Sequence, residues 1–574
     1  MAHVRTRSGF RRSLCLLVPI FFLSCESAPS HLLPPSSGLW TGSPFVATRF
    51  GLVQGLEDAD DTWVWKAIPF ARAPTGALRW RAPQDPIPWA GVRRERSFNA
   101  GCTQFSEVFS WQINGSEDCL YLNVWRPRDE ETGLPVYVWI HGGGNSTGSS
   151  THIAAYYGNR LAARSRVVFV SVNYRLGPFG WFALPALREG ASAEDASGNF
   201  GTLDIIQSLK WIRENIEAFG GDPHQVTITG ESAGGFDVLS LLISPPARGL
   251  FQRAMSESGA ALTRGMEEAD AKAQDILERL LLVDDKARTR EGAAALAAGM
   301  SPEQIRSFLR RKSDRQILSL YRVSGFGMVE NPAILRDGAV IPLQGYEVLK
   351  TGEYANKVPV ILGSNADELT IFLRFGSHVP WQSDLYRAAS RYGSARWRVS
   401  GVDEVARRLV AHADQPPVYA YQFRWGTLDP AGKSPLPNMW GSELGAFHSL
   451  DIPFFLGNDT VMGVFQVLLF TWQNEPGRKA LSGAMMRYLA RFARTGDPNM
   501  PGGDLPAWEP WSAAPRGPKY IVFDVRGDAP AIAMSNEELT DQEVMAAASA
   551  ELREPLRTRT LQYLEKSPLS SGVR

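Results

Sequence analysis

The most constraining stretch of the sequence is a glycine-rich hexapeptide around Ser232. It reads Gly-Glu-Ser-Ala-Gly-Gly over residues 230–235. Residues 226–229 before it are all β-branched, which predicts a buried strand, and residues 236–243 after it have helical spacing. A serine on a sharp turn between a strand and a helix is the context of the G-x-S-x-G nucleophile elbow. The pattern predicts an exposed nucleophile at a helix N-terminus. If the G-x-S-x-G pattern is considered without its flanking segments, an ordinary glycine turn is the alternative.

The segments around the elbow predict an α/β fold. Two continuous apolar runs, residues 134–140 and 166–173, are typical of parallel strands buried on both faces. Residues 203–219 repeat apolar side chains every three or four positions, which predicts an amphipathic helix. Strand, crossover, strand, helix, strand and helix then follow in order, so we expect a mostly parallel central sheet flanked by helices. Further strands are predicted as a hairpin over 46–55 and as single strands over 358–363, 418–423 and 520–523.

The N-terminus is predicted to be an export signal. Arginines at positions 5, 7, 11 and 12 precede an apolar run from Leu14 to Leu23, which is too short to span a bilayer as a mature helix. The run ends at Cys25 in a pattern that resembles a bacterial lipobox, with Phe22 in place of the usual aliphatic residue. Lipidation of Cys25 and simple cleavage both remain open. We therefore expect an exported protein, secreted or periplasmic, with membrane attachment through a lipid if Cys25 carries one.

The remaining chain is predicted to form one large domain. We divide the sequence into a signal (1–25), a Ser/Pro-rich tether (26–44), an α/β domain (45–535) with a helical cap insertion at 264–320, and a C-terminal helix with a frayed end (536–574). A chain of 574 residues is long, but large α/β enzymes do form around one sheet. Lys+Arg and Asp+Glu both number 60, so the charge balance argues against nucleic acid as a partner.

A serine nucleophile needs a base, and the base needs a group that orients it. In the fold predicted here, a carboxylate and then a histidine follow the serine along the chain. Three histidines lie downstream of Ser232, namely His378, His412 and His448. His448 has the most suitable context, because its segment follows soon after the strand predicted at 418–423.

The orienting carboxylate and the oxyanion donors are sought at strand ends. Asp367 and Glu368 follow the strand predicted at 358–363, and on position alone either carboxylate could serve. A negative intermediate needs preset N–H donors. The glycine run at 142–144 follows a predicted strand, and the N–H of Ala233 directly follows the nucleophile. A flexible turn is the alternative for the glycine run by itself.

These segments together resemble the type-B carboxylesterase and cholinesterase family of α/β hydrolases. The matching segments are residues 67–71 with 76–80, residues 116–125, residues 219–223 leading into 230–235, and residues 495–499. The resemblance spans about residues 46–525. It implies an α/β-hydrolase fold and a serine carboxylesterase that acts on small-molecule esters through an acyl-enzyme, without a metal or organic cofactor.

The resemblance also implies a role for individual residues. The nucleophile is Ser232, the acid Glu368 and the base His448; the oxyanion donors are the N–H groups of Gly143, Gly144 and Ala233; Glu231 supports the histidine; and Cys102 with Cys119 matches the family's first disulfide. Two cysteines in an exported chain already suggest such a bond, with two free thiols as the alternative.

The sequence departs from the family pattern at a few positions. Leu369 and Asp451 stand where glycine and glutamate are usual. Trp111 lies two residues away from the place of the tryptophan that faces choline in cholinesterases, so choline binding is not carried over and we expect Trp111 to pack structurally. A non-catalytic adhesion or binding protein of the same fold, and an amidase or lactonase that uses the same side chains, are the alternative functions.

Three Asn-x-Ser/Thr sequons occur, at Asn114, Asn145 and Asn458. They are interpreted as chance matches unless the chain comes from a glycosylating eukaryote. Asn145 matters most, since a glycan there would obstruct entry to the predicted oxyanion loop.

Overall fold

A computed structural model of the protein describes residues 38–106, 111–377, 379–437, 439–460 and 466–566. The predicted signal, Cys25, most of the predicted tether, and His378 lie outside the described residues. Within those ranges, no helix has both the length and the apolar composition needed to span a membrane.

One eleven-stranded sheet forms the centre of the fold. Its strands in chain order are β1 Leu56–Asp58, β2 Thr62–Pro69, β3 Tyr121–Pro127, β4 Leu134–Ile140, β5 Val168–Val172, β6 Gly221–Glu231, β7 Arg253–Glu257, β8 Val360–Asn365, β9 Val418–Phe423, β10 Tyr520–Arg526 and β11 Ala529–Ser535. The spatial order is β11-β10-β9-β8-β7-β6-β4-β5-β3-β2-β1. In this spatial order, the seven strands from β10 across to β5 pair in parallel. The pairs outside them, β11 with β10 at one edge and β5-β3-β2-β1 at the other, are antiparallel. The predicted mostly parallel sheet is confirmed.

Helices of seven residues or more flank the sheet and build the cap. They are α1 Asn159–Ser165, α2 Phe200–Asn215, α3 Ala233–Ile243, α4 Met266–Val283, α5 Arg290–Gly299, α6 Pro302–Arg310, α7 Thr370–Gly376, α8 Asp384–Arg398, α9 Glu404–Val410, α10 Glu475–Thr495, α11 Asp541–Glu551 and α12 Leu556–Lys566. Helices α4, α5 and α6 occupy the segment predicted as a helical insertion.

Shorter elements connect these. The short helices are Gly177–Gly180, Pro185–Arg188, Ala193–Ala196, Asp314–Leu318, Val348–Thr351, Met439–Glu443, Ile452–Phe455 and Gln466–Leu469, with a π-helical turn at Val399–Asp403. The short strands are Phe45–Thr48, Gly51–Gln54 and Val92–Arg93 in one sheet, Gln104–Phe105 with Ile113–Asn114, and Arg264–Gly265 with Leu335–Arg336.

Strand β4 shows why the central strands are apolar throughout. Val136 and Val138 contribute to the hydrophobic core on one face of the sheet, together with Leu209 of α2. Tyr137 and Trp139 contribute to the core on the other face. Because successive side chains of a strand point to opposite faces, a strand with both faces covered must be apolar at every position. Helices α2 and α3 cover the first face, and α1 and α10 cover the second.

Most predicted strands are found, with small shifts. The runs at 134–140 and 418–423 have the predicted bounds, and the run at 358–363 becomes β8 two residues later. The hairpin predicted at 46–55 pairs antiparallel, as expected. Strand β7 was not predicted, because Arg-Ala-Met-Ser-Glu contains no apolar run. It is a strand through its position between β6 and β8, where its backbone is paired on both sides.

Both ends of the domain are more ordered than the sequence indicates. Trp40, in the predicted tether, is buried, and its indole N–H donates to the carbonyl of Asp129 at 2.9 Å. The sequence predicts one helix and a frayed end after residue 535, whereas the structure has two helices, α11 and α12. Both pack on α8 through a small apolar core that includes Val544 and Leu564.

Cys102 and Cys119 form a disulfide, as the sequence suggests. Both half-cystines are buried. Their loop carries the small strand pair Gln104–Phe105 and Ile113–Asn114. The bond therefore closes a short excursion between β2 and β3.

We predict that replacing Cys102 and Cys119 together by serine lowers the free energy of unfolding by about 3 kcal/mol, because the open chain gains the entropy that loop closure removed. Urea unfolding followed by circular dichroism measures the change. Reduction of the unmodified protein is the matched control and should lower the midpoint similarly. Equal midpoints for the oxidised protein and the double variant would contradict the prediction.

Candidate active site

Ser232 occupies a strained turn between β6 and α3. Its backbone has φ 57° and ψ −122°, a conformation that residues other than glycine rarely adopt and that costs about 1–3 kcal/mol. The neighbouring glycines make the turn sterically feasible. A Cβ at Gly230 would lie 2.5 Å from the backbone of Gly234, and a Cβ at Gly234 would lie 2.1 Å from the carbonyl of Ile140. The N–H of Ser232 donates to the carbonyl of Glu257 at 2.9 Å, which ties the turn to β7.

His448 and Glu368 come together from segments eighty residues apart in sequence. Nδ1 of His448 lies 2.5 Å from Oε2 of Glu368. The glutamate is fully buried, and its other oxygen accepts the N–H of Asn365 at 2.7 Å. The carboxylate is thus fixed by one backbone donor and presents its free oxygen to the imidazole, an arrangement that selects one ring orientation.

Asp367, the other carboxylate that the sequence left open, contacts a different group. Its Oδ2 accepts the N–H of Ala446 at 2.9 Å, and its own N–H donates to the carbonyl of Ala446 at 3.0 Å. Burial raises the pKa of Asp367 to about 6, partly opposed by this backbone hydrogen bond. The structure therefore brings Glu368, and not Asp367, to the imidazole, while Asp367 anchors the loop that carries the histidine.

The second ring nitrogen of His448 faces Glu231. Nε2 lies 3.1 Å from Oε1 of Glu231, at an angle that makes no hydrogen bond to any described group. The same Glu231 oxygen accepts the hydroxyl of Ser449 at 2.6 Å. Among the described residues, no hydrogen bond joins Ser232 to His448, although both side chains line one cavity.

Carboxylates dominate the electrostatics of this site. Burial lowers the pKa of His448, but the charges of Glu231 and Glu368 and the hydrogen bond that the ring donates to Glu368 outweigh it and raise the pKa to about 9. Burial raises the pKa of Glu231 to about 7, opposed by the charge of His448. Burial also raises the pKa of Asp451 to about 6. The imidazole thus sits where a positive charge is stabilised.

Gly143 and Gly144 form the turn that follows β4. Both have positive φ, 107° and 62°. A Cβ at Gly143 would lie 2.3 Å from the carbonyl of Thr147, so backbone would have to shift, whereas one at Gly144 would lie 2.4 Å from Sδ of Met328 and would displace that side chain. Both glycines and Ala233 line the cavity beside Ser232. Ala233 is the first residue of α3, where the N–H has no intrahelical acceptor.

Buried polar contacts hold this turn from behind. The side-chain amide of Asn145 donates to Oδ1 of Asp237 on α3 at 3.3 Å. The hydroxyl of Tyr174 donates to the carbonyl of His141 at 2.7 Å. Asn145 is 4% exposed, so its sequon is not available for a glycan in the folded protein. Asn458 is likewise buried, and Asn114 is the exposed sequon.

The candidate residues open into a cavity of about 620 Å³. Its wall is mainly apolar and includes Ile153, Tyr156, Phe236, Leu262, Phe326, Met328, Leu369, Ile371, Phe372 and Trp397. Phe372 and Trp397 stack with centroids 5.7 Å apart, and the imidazole of His448 lies 5.0 and 4.8 Å from their centroids. The sequence does not predict either ring as part of the site, because no motif distinguishes them from ordinary core aromatics.

Other candidates from the sequence lie elsewhere. Nε2 of His412 donates to the carbonyl of Leu349, 2.7 Å away, in a packing role. The sequence predicts that Trp111 packs structurally, but its side chain is 55% exposed, and it is not among the residues that line the cavity. In the described ranges, no group of three or more His, Cys, Asp and Glu side chains is arranged to hold a metal ion.

Comparison with known proteins identifies the family. A profile of the carboxylesterase family matches residues 42–389 and 385–535. Para-nitrobenzyl esterase of Bacillus subtilis is 32% identical over 488 residues, covering 81% of this chain and 92% of the relative, and carboxylesterase 1D of Rattus norvegicus is 31% identical over 557 residues, covering 86% and 90%. A solved carboxylesterase of Geobacillus stearothermophilus superposes with a TM-score of 0.65 at 30% identity, covering 88% of this chain and 99% of the other. The chain therefore belongs to the carboxylesterase family and is a carboxylic-ester hydrolase.

Proposed function

We propose that this protein hydrolyses small-molecule esters through an acyl-enzyme on Ser232, with His448 as the base and Glu368 as the acid of a triad. The observation that carries the proposal is the 2.5 Å contact between Nδ1 of His448 and Oε2 of Glu368 in the cavity that also contains the strained Ser232. A carboxylate at Nδ1 keeps the proton on that nitrogen and leaves Nε2 to accept one.

In the first half-reaction, Oγ of Ser232 forms a bond to the acyl carbon while its proton passes to Nε2 of His448. The serine hydroxyl has to meet Nε2 when substrate binds, since in the free enzyme Nε2 is 3.1 Å from Glu231. The tetrahedral intermediate then collapses. The bond to the leaving alcohol breaks, and His448 returns the proton to that oxygen.

In the second half-reaction, water attacks the acyl-enzyme and gives a proton to Nε2 of His448. Collapse of the second intermediate breaks the bond to Oγ, which recovers the proton, and the carboxylic acid leaves. Both intermediates carry an oxyanion. We assign its stabilisation to the N–H groups of Gly143, Gly144 and Ala233, which come from two strand ends that meet at the nucleophile.

The apolar wall supports esters with apolar groups as substrates. Phe372 and Trp397 flank the imidazole and exclude water from one side of it. A drier site strengthens the interaction of the imidazolium with Glu368. The same wall disfavours polar groups that would lie against it, because their hydration would be lost without replacement.

We also propose that the chain is exported, on the basis of its basic and apolar N-terminal segment and the Cys102–Cys119 disulfide. Cys25 would be either the lipid-bearing first residue or the end of a cleaved signal. The mass of the mature N-terminal peptide distinguishes the two.

Ser232→Ala is expected to lower kcat for para-nitrophenyl acetate by roughly a millionfold, because triad residues act as a unit. The melting temperature should not fall, since alanine removes only the hydroxyl. A radiolabelled organophosphate should label the unmodified protein and not the variant.

Two results would contradict this assignment. Full activity of the variant would place the nucleophile elsewhere. A folded wild-type chain that neither turns over esters nor reacts with the organophosphate would favour a binding protein of the same fold. Turnover of an anilide or a lactone in preference to matched esters would instead favour an amidase or lactonase.

Glu368→Gln and Asp367→Asn form a matched pair of neighbouring, charge-neutralising changes. We expect Glu368→Gln to lower kcat by about 10⁴-fold, as loss of the orienting carboxylate does in serine triads. Asp367→Asn retains an oxygen that can accept the N–H of Ala446, so its effect should stay below about tenfold. Steady-state kinetics decides, with circular dichroism as the check of folding. The opposite ranking would assign the acid to Asp367.

The pH profile tests the role of Glu231. The base must be neutral to accept a proton, so kcat/KM should rise with pH through the raised pKa of His448, about 9. Glu231→Gln removes a negative charge that raises this pKa, and the acid limb should therefore move to lower pH. Glu268→Gln, at an exposed position on α4, is the control and should leave the limb unmoved. A shift to higher pH, or none, would refute the coupling.

A further inference from the structure

The C-terminal helix α12 forms part of the wall of the candidate active site. Tyr563 and Lys566 of this helix line the same cavity as Ser232 and His448. The helix follows the last strand of the sheet and is separated in sequence from every other element of the site. It carries no catalytic group of the proposed mechanism, so its presence in the wall needs a separate explanation.

Helices α11 and α12 are firmly attached to α8. Tyr392 of α8 packs with Ala548 and Leu564 in an apolar core, where these three side chains are at most 3% exposed. The guanidinium of Arg396, itself 5% exposed, pairs with Asp541 at 2.5 Å and donates to the carbonyl of Leu564 at 2.6 Å. One buried arginine therefore joins both C-terminal helices to α8.

The same turn of α8 supports the imidazole. Trp397 directly follows Arg396, packs 4.8 Å from the ring of His448, and donates its indole N–H to the carbonyl of Ser258 at 2.9 Å. Tyr563 packs against the cluster that contains Trp397 and Leu369. The tyrosine thus extends the aromatic wall of the cavity away from the catalytic groups.

Lys566 gives this wall a charge. Among the described residues that line the cavity, it is the one lysine or arginine, and the other ionisable groups are His152, Glu231 and His448. Lys566 is exposed, which places it on the solvent side of the cavity. A cation at the entrance of an apolar cavity is suited to a ligand with an apolar body and an anionic end.

We infer that α12 sets the substrate range: Tyr563 limits the size of the group held along the aromatic wall, and Lys566 favours esters with a carboxylate remote from the scissile bond. Monoesters of dicarboxylic acids have this chemistry. The inference rests on the proposed function, because it concerns the choice among esters at the same Ser232. It assigns to the C-terminal helix pair a role in specificity rather than in catalysis.

The test of Lys566 compares two para-nitrophenyl esters with acyl chains of equal length, the neutral hexanoate and the monoester of adipic acid. Lys566→Met in the full chain should lower the ratio of kcat/KM for the adipate over the hexanoate by about fivefold, mainly through KM, because an exposed charge pair is weak. Lys566→Arg should retain the ratio, and added salt should lower it in the unmodified protein. Lys350→Met, at an exposed lysine that does not line the cavity, is the control.

The test of Tyr563 compares para-nitrophenyl acetate with the benzoate. Tyr563→Ala should raise the benzoate-to-acetate ratio of kcat/KM about tenfold, because it removes a ring from the wall, while Tyr563→Phe retains the ring and the ratio. If Tyr563→Ala fails to fold, Tyr563→Leu, which also replaces the ring by a smaller side chain, decides the size contribution, and Lys566→Met decides the charge contribution.

The outcomes separate this inference from the proposed function. The inference would be overturned if the variants are active and both the adipate-to-hexanoate and the benzoate-to-acetate ratios equal those of the unmodified protein. Lys566 would then serve only as a cation at the C-terminus of its helix. Loss of all ester turnover by the unmodified chain, or full activity of Ser232→Ala, would instead overturn the proposed function.

Discussion

The candidate site depends on a short backbone contact between the end of β8 and the loop after β9. Asp367 pairs with Phe447 as an isolated parallel bridge, and the Asp367 carboxylate accepts the N–H of Ala446. This contact continues the parallel pairing of the two strands beyond their ends. Glu368 directly follows Asp367, and His448 directly follows Phe447. The bridge therefore brings Glu368 and His448 together without any direct bond between their own backbones. The register of the sheet therefore determines where the imidazole and the carboxylate lie relative to each other.

Beneath this contact, a buried polar layer compensates for the departure at position 451. Asp451 is shorter than the usual glutamate, yet it accepts the hydroxyl of Tyr421 at 2.6 Å and the side-chain amide of Asn365 at 3.2 Å. Asn365 also donates to the carbonyl of Phe447. The layer therefore connects β8, β9 and the histidine loop by hydrogen bonds that are shielded from water, where each missing partner would cost about 1–3 kcal/mol. A carboxylate in this layer also supports the raised pKa of His448.

Sequence patterns predict local structure well where burial is symmetrical and poorly where it depends on neighbours. The runs of β4 and β9 are apolar on both faces, so their pattern alone predicts a strand. Strand β7 has no such pattern, because its polar residues meet buried partners that only the assembled sheet supplies. The hydroxyl of Ser256, for example, donates to the carbonyl of Gly235 at 3.0 Å. The choice between Asp367 and Glu368 was open for the same reason. Two adjacent carboxylates are equivalent in sequence and differ only in the direction that the bridge gives them.

The aromatic groups around the imidazole belong to the part that no local pattern reveals. Phe372 lies on α7 and Trp397 on α8, and neither segment carries a motif of its own. Their stacking joins α7 and α8 beside His448, and the neighbouring Arg396 attaches the same turn of α8 to the C-terminal helices. The aromatic wall, the C-terminal helices and the imidazole thus form one packed unit. In this site the strand ends position the polar groups Ser232, Glu368 and His448. The shape of the cavity around them is set by helices, some of which follow much later in the chain.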